Sequence, residues 1–160
     1  MLNQKHLKVR LAQCHLISTN SPCPRKKVGA VIIDPLTNVV LSDGYNGTPR
    51  GSKKALCGGS VCLRTCQSIP SGSQNDVGCH HAEMNAIANA SRVGSAPLMG
   101  AWLFINCDPC LMCAKFIHHA GIVRVYAPFK KDSTRTNGLE YLIENNVEVI
   151  PTSSLDVGAY

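Results

Sequence analysis

His81, Glu83 two residues later, and Cys110 with Cys113 behind Pro109 are the residues of this chain best suited to chemistry. An imidazole and two thiolates are good zinc ligands. Three protein ligands also leave the fourth corner of a tetrahedron open to water, which marks a catalytic rather than a structural site. Zinc held in this way lowers the pKa of its water from about 15.7 to about 7, and Glu83 is the carboxylate that would move the protons as general acid and base. Taken singly, each part has a plainer reading. The Cys-x-x-Cys could be half of a structural zinc knot or a redox pair, His81 a satisfied core histidine, and Glu83 a solvated helix residue. Their combination, with both clusters at predicted helix starts, selects the catalytic set. Cys107 is read as a strand-end cysteine lining the pocket rather than a substitute ligand.

These side chains need elements to hold them. Leu7, Leu11, Cys14 and Ile17 recur at helical spacing and predict a helix over about residues 4–18, broken by Ser21-Pro22-Cys23-Pro24. The apolar, β-branched run Val28 to Ile33 predicts a buried strand, with a turn at Asp34 to Asn38 and an antiparallel partner at Val39 to Ser42. The glycine-rich stretch Gly44 to Gly51 is by itself an ordinary exposed loop, and beside a metal site a substrate-binding loop. Residues 52–80, with Cys57, Cys62, Cys66 and Cys79, make a connection too long for a compact domain unless something organises it.

His81 to Val93 predicts a helix ended by Gly94, and Ala101 to Ile105 a strand. Asp108 reads as an N-cap and Pro109 as the first residue of a helix running to Gly121. A strand at Ile122 to Tyr126, a helix at about Leu139 to Asn145 and a strand at Val147 to Ile150 follow, with a loosely ordered tail after Pro151. Helices alternating with strands after an opening hairpin imply one α/β domain with a mixed, helix-covered sheet. Cys110 and Cys113, at i and i+3, share a helix face, in a first turn whose dipole and free amides favour thiolates. One difficulty stands out: positions i and i+2, as for His81 and Glu83, do not face each other on a regular helix.

The 160 residues fit a single domain with a sizeable core. No apolar run reaches the ~20 residues of a membrane span, and the first residues form no secretory signal, so the expected compartment is the cytoplasm. Nine cysteines, an odd count without a signal peptide, argue against a disulfide framework and for metal in a reducing compartment. The net charge of +6 comes from scattered bases and would attract an anionic nucleotide or a polynucleotide. The sequence has no aromatic series of the kind on which single strands stack, which makes the polynucleotide the weaker partner.

The chain resembles the deoxycytidylate (dCMP) deaminases of the cytidine deaminase superfamily. The likeness lies in Lys27-Val28-Gly29-Ala30-Val31-Ile32, in Gly44-Tyr45-Asn46-Gly47-Thr48-Pro49-Arg50-Gly51, in His81-Ala82-Glu83-Met84-Asn85-Ala86-Ile87 and in Pro109-Cys110-x-x-Cys113. These run in the family's order over about residues 20–150, and the glycine-rich loop is what points to dCMP. The resemblance implies hydrolytic deamination of dCMP to dUMP, feeding thymidylate synthesis, on a three-layer α/β/α sandwich with a five-stranded mixed sheet. It implies a hexamer, activated by dCTP with Mg2+ and inhibited by dTTP. It assigns Asn46 to the sugar, the Ala82 backbone to the base, Tyr126 to the pocket wall, and Arg92 to nucleotide response and subunit contacts. Lys27 and Arg50 become candidates for the substrate phosphate, with solvated basic residues as the plainer reading. Some relatives carry a second, structural zinc. Cys23, Cys57 and Cys79 fall at or near its ligand positions and Cys62 would complete four thiolates, with Cys66 and His80 as competitors. Such a site would organise the long connection; the alternative is buried thiols without metal.

Two other functions compete. One is deamination of a different base: cytidine, a 5-substituted dCMP, or adenosine in tRNA. The other is a non-catalytic, zinc-stabilised binding protein, whose marker would be a fourth protein ligand such as Cys107.

Overall fold

The computed structural model describes residues 3–52, 61–70, 73, 75, 77–92, 94, 97–130 and 136–154. Cys57, Val93 and the tail beyond 154 lie outside these residues. The first helix, α1 (Gln4–Ser18), starts where Asn3 Oδ1 accepts a hydrogen bond from the His6 N–H at 3.0 Å, an N-cap that satisfies one of the helix's unpaired amides. Strands β1 (Gly29–Ile33) and β2 (Val40–Tyr45) form the expected hairpin. Its turn is held by Asp34, whose carboxylate accepts from Leu36 N and Thr37 Oγ1. A short α2 (Leu63–Cys66) lies in the long connection. It is followed by α3 (Ala82–Arg92), β3 (Trp102–Ile105), α4 (Leu111–His119), β4 (Arg124–Ala127), α5 (Thr136–Glu144) and β5 (Glu148–Pro151).

The five strands lie in the order β2-β1-β3-β4-β5. β1 is antiparallel to both neighbours, whereas β3, β4 and β5 run parallel, so the sheet is mixed, as expected. Side chains alternate across it with period two. Ala30, Ile32, Leu103, Ile105, Val125 and Ala127 face one core together with residues of α3, α4 and α5. Val31, Ile33, Trp102, Phe104 and Tyr126 face the other, against Leu11 and Cys14 of α1. The result is the three-layer sandwich.

Four boundaries differ from the sequence expectation, each for a physical reason. β2 runs through Gly44 and Tyr45, which read as loop. At Gly44 a Cβ would collide with Ala86 N and stand 2.7 Å from Ala82 O, so the glycine lets the strand lie directly under α3. Asp108 is not the cap of α4. Cys110 holds that position, its carbonyl accepting the first helical bond from Ala114 N at 2.9 Å, while the buried Asp108 carboxylate accepts the N–H groups of Phe129 and Lys130 at 2.7 and 2.8 Å. α5 begins three residues before the predicted Leu139. Pro151 closes β5 instead of opening the tail; β5 is an edge strand, where proline's missing N–H is tolerated.

Two outcomes test this packing. Gly44→Ala should cost about 1–3 kcal/mol of stability, the range of core overpacking, read as a lower denaturation midpoint at unchanged slope. Cys14 is fully buried and burial pushes its thiol well above the usual range. It should stay unalkylated in the native protein while the exposed Cys66 reacts, as peptide mass mapping would show.

Candidate active site

The chemistry-bearing residues converge where two helices begin. His81 directly precedes α3, and its carbonyl accepts the first helical bond from Asn85 N at 3.1 Å. It therefore occupies the cap rather than the regular helix, so the regular-helix spacing rule does not apply between it and Glu83, and both line one cleft. Cys110 caps α4 and Cys113 lies in its first turn. His81 Nδ1 stands 3.5 Å from Cys110 Sγ and 3.3 Å from Cys113 Sγ. Among the described residues this trio is the group able to hold a metal ion, its donor atoms all within 4.8 Å of one another.

Zinc fits the trio. With Zn–S near 2.3 Å and Zn–N near 2.05 Å, a tetrahedral site requires N···S separations of about 3.5 Å, close to those observed. The Cys113 thiol hydrogen-bonded to Cys110, with His81 adding to it against the opposing effect of burial, holds the Cys110 thiol down to about 3. Cys110 is thus a thiolate at neutral pH, the form that binds metal.

Beside the trio, Glu83 in the first turn of α3 is 1% exposed and lines a cleft together with His81 and Ala82. Its Oε1 is buried without a hydrogen bond there, although the residue makes other polar contacts. Cys107 does not join the metal group; its Sγ accepts from Lys26 Nζ at 2.9 Å.

The glycine-rich loop reaches the site through a two-residue bridge, with Gly47 and His80 exchanging both N–H···O bonds at 3.1 and 3.0 Å. Asn46 is buried and lines the cleft. Its Oδ1 accepts from Val28 N at 2.8 Å and its Nδ2 donates to Lys26 O at 2.9 Å, which leaves Oδ1 one further lone pair for a ligand.

Other expected residues lie elsewhere. The strand period turns Tyr126 to the α1 face, stacked on Phe104 at 4.3 Å between ring centroids, away from the face that carries α3 and α4. Lys27 Nζ donates to Thr19 O at 3.3 Å and is not part of the cleft wall. Arg50 and Arg92 line a second concavity with Tyr45, His80 and Asn85. Cys23, Cys62 and Cys79 do line the first cleft but form no metal-holding group among the described residues. Cys57 lies outside them.

Residues 3–128 match the family described as the cytidine and deoxycytidylate deaminase zinc-binding region. The chain belongs to that family. ComE operon protein 2 of Bacillus subtilis (strain 168) is 37% identical over 117 residues, 72% of this chain and 55% of its own length. Deoxycytidylate deaminase of Mycobacterium phage D29 is 36% identical over 114 residues, 68% of this chain and 82% of the phage protein. The crystal structure of dCMP deaminase from cyanophage S-TIM5 in complex with dCMP and dUMP superposes with a TM-score of 0.74 at 29% identity, over 94% of this chain and 99% of that one. The chain spans about half the length of the Bacillus protein and 33% of the deoxycytidylate deaminase of Schizosaccharomyces pombe.

In this member of the deaminase family several supporting residues were missed by sequence reasoning. Asn85 and Asn89, one turn apart on α3, donate to Tyr45 O and Asp43 O and fasten the helix to β2; their i, i+4 spacing was the available signal. Arg25, Lys26 and Arg64 line the cleft, where Lys27 and Arg50 had been expected. Asp108 ties the segment before Cys110 to the end of β4. Asp108→Asn should therefore lower zinc affinity about tenfold, as supporting residues of metal sites do, with the fold retained; chelator competition monitored alongside circular dichroism would show it.

Proposed function

We propose that this protein is a zinc-dependent hydrolase that deaminates dCMP to dUMP. The observation that carries the reading is His81 Nδ1 placed 3.3–3.5 Å from both cysteine sulfurs, next to the buried carboxylate of Glu83 in one cleft. Kinship with a phage dCMP deaminase solved with dCMP and dUMP supports the choice of base. A zinc ion bound by His81, Cys110 and Cys113 supplies the polarisation that makes water acidic near neutral pH.

The chain's own residues do the remainder. Glu83 takes a proton from the attacking water and delivers it to the ring nitrogen next to the amino-bearing carbon. It then takes the second proton of that water, from the hydroxyl newly bonded to the carbon, and passes it to the departing amine, so that water and dCMP yield dUMP and ammonia. Burial keeps bulk water from competing for those protons. The Ala82 backbone lies at the start of α3, beside Glu83, to meet the base, and the second lone pair of Asn46 Oδ1 is available to a sugar hydroxyl.

Finer features belong to the same proposal. Arg50 and Arg92, sharing the second concavity, suit a regulatory nucleotide, dCTP with Mg2+ or dTTP, in a hexamer working in the cytoplasm and supplying thymidylate synthesis. Cys23, Cys62 and Cys79, which line the first cleft, would with Cys57 supply the ligands of a second, structural zinc of the kind some relatives carry. Ammonia release from a panel of dCMP, 5-substituted dCMP, cytidine and tRNA, with and without dCTP and dTTP, tests substrate and regulation together.

Glu83→Gln should lower kcat about 1,000-fold, in the middle of the range for general acid–base groups, while keeping its zinc. Normal turnover by that variant would refute the mechanism. Elemental analysis should find two zinc ions per chain; a single equivalent would remove the structural site.

A further inference from the structure

We propose that Asn85 is a positioning residue, holding Asn46 in register with His81 and Glu83 so that contact with the sugar hydroxyl aligns the base for proton transfer. This rests on the deaminase reading and adds to it a residue that does not line the cleft of His81 and Glu83.

Asn46 directly follows the last residue of β2. That strand lies at the rim of the sheet, where backbone groups on the outer side have no neighbouring strand. Two side chains of α3 supply donors there instead. Asn89 Nδ2 donates to Asp43 O at 2.8 Å and Asn85 Nδ2 to Tyr45 O at 2.7 Å. A brace between helix and strand accounts for Asn89. Asn85 differs in what its two bonds connect. Tyr45 stands immediately before Asn46, and the Asn85 N–H donates to His81 O at 3.1 Å, the first bond of α3. One residue thus grips the imidazole-bearing cap with its backbone and the residue before Asn46 with its side chain. Immediately after Asn46, Gly47 and His80 exchange their pair of hydrogen bonds at 3.1 and 3.0 Å. The segment is therefore tied to the start of α3 on both sides of Asn46.

The remaining bonds of Asn46 run elsewhere. Its side chain accepts from Val28 N and donates to Lys26 O, which fixes it against the segment entering β1. Those bonds leave the start of α3 free to shift against Asn46 unless Asn85 and His80 hold it. The substrate spans the same gap. dCMP has one free sugar hydroxyl, at C3′, for the second lone pair of Asn46 Oδ1, while its base must meet Glu83. A misplacement of about 1 Å between a reacting atom and its catalytic group can cost about 100-fold in rate. With the sugar anchored on Asn46, any slip of α3 becomes a misalignment between base and Glu83.

The test compares dCMP with 2′,3′-dideoxycytidine monophosphate, which lacks that hydroxyl, in zinc-loaded wild type, Asn85→Ala, Asn85→Asp and Asn89→Ala. Wild type should prefer dCMP about tenfold in kcat/KM, the upper range for one neutral hydrogen bond. In both Asn85 variants the preference should largely disappear through a lower kcat for dCMP, with turnover of the dideoxy nucleotide and zinc content retained. Asn89→Ala removes a similar brace one turn away and should keep the preference. A preference that survives in the Asn85 variants, an equal loss on both substrates, or a wild type that treats both alike would overturn the proposal and leave the deaminase reading standing. Should wild type fail to deaminate dCMP, the deaminase reading falls, and calorimetric binding of dUMP against 2′,3′-dideoxyuridine monophosphate decides this one. A wild-type preference for dUMP that Asn85→Ala weakens supports it; an unchanged or absent preference refutes it.

Discussion

Two helix starts meet at one end of the sheet, and the rest of the structure is arranged to keep them there. α3 brings an imidazole at its cap and α4 brings two sulfurs, at its cap and in its first turn. Such positions leave backbone amides unpaired and carry the positive end of the helix dipole, which favours anionic sulfur. Close contacts without side chains make the meeting possible. Gly44 lets β2 pass directly beneath α3, and Gly138 lets α5 lie against the carbonyls of Pro109 and Cys110, where a Cβ would collide. The Asn106 side chain, accepting from Gly29 N at 3.0 Å, fixes the chain leaving β3 against β1 just before the cysteines.

Without a cation this arrangement works against itself. A thiolate, a second sulfur and a histidine nitrogen crowd within a few ångströms, with a buried carboxylate alongside. Bringing such groups together costs free energy that a bound divalent ion offsets, so metal affinity and local stability are coupled. The fold contributes prearranged donors; the metal contributes the reason for them to stay together.

Much of this was legible in the sequence because it depends on short-range periodicity and on residue chemistry. The 15-residue α1, the hairpin, the strand–helix alternation and the His81, Cys110 and Cys113 trio all follow from spacing and type. What could not be read depends on contacts between distant segments. Asp108 looked like a cap because aspartate before proline usually is one; its carboxylate was instead needed by two amides beyond β4. Tyr126 was placed by family likeness, but strand alternation points it to the opposite core. Lys27 and its neighbours Arg25 and Lys26 are indistinguishable in a run of three bases; only the path of the backbone decides which of them enters the cleft. Gly44 read as loop because glycine most often signals flexibility, whereas here its value is thinness.

The rims of the sheet have a consequence of their own. At one rim β5 ends in Pro151, which has no amide hydrogen to offer an incoming chain, and at the other β2 exposes the charged Asp43. Both are known deterrents to edge-to-edge pairing. For a chain with a strongly apolar central strand, blunted rims oppose fibrillar stacking of one sheet edge on another.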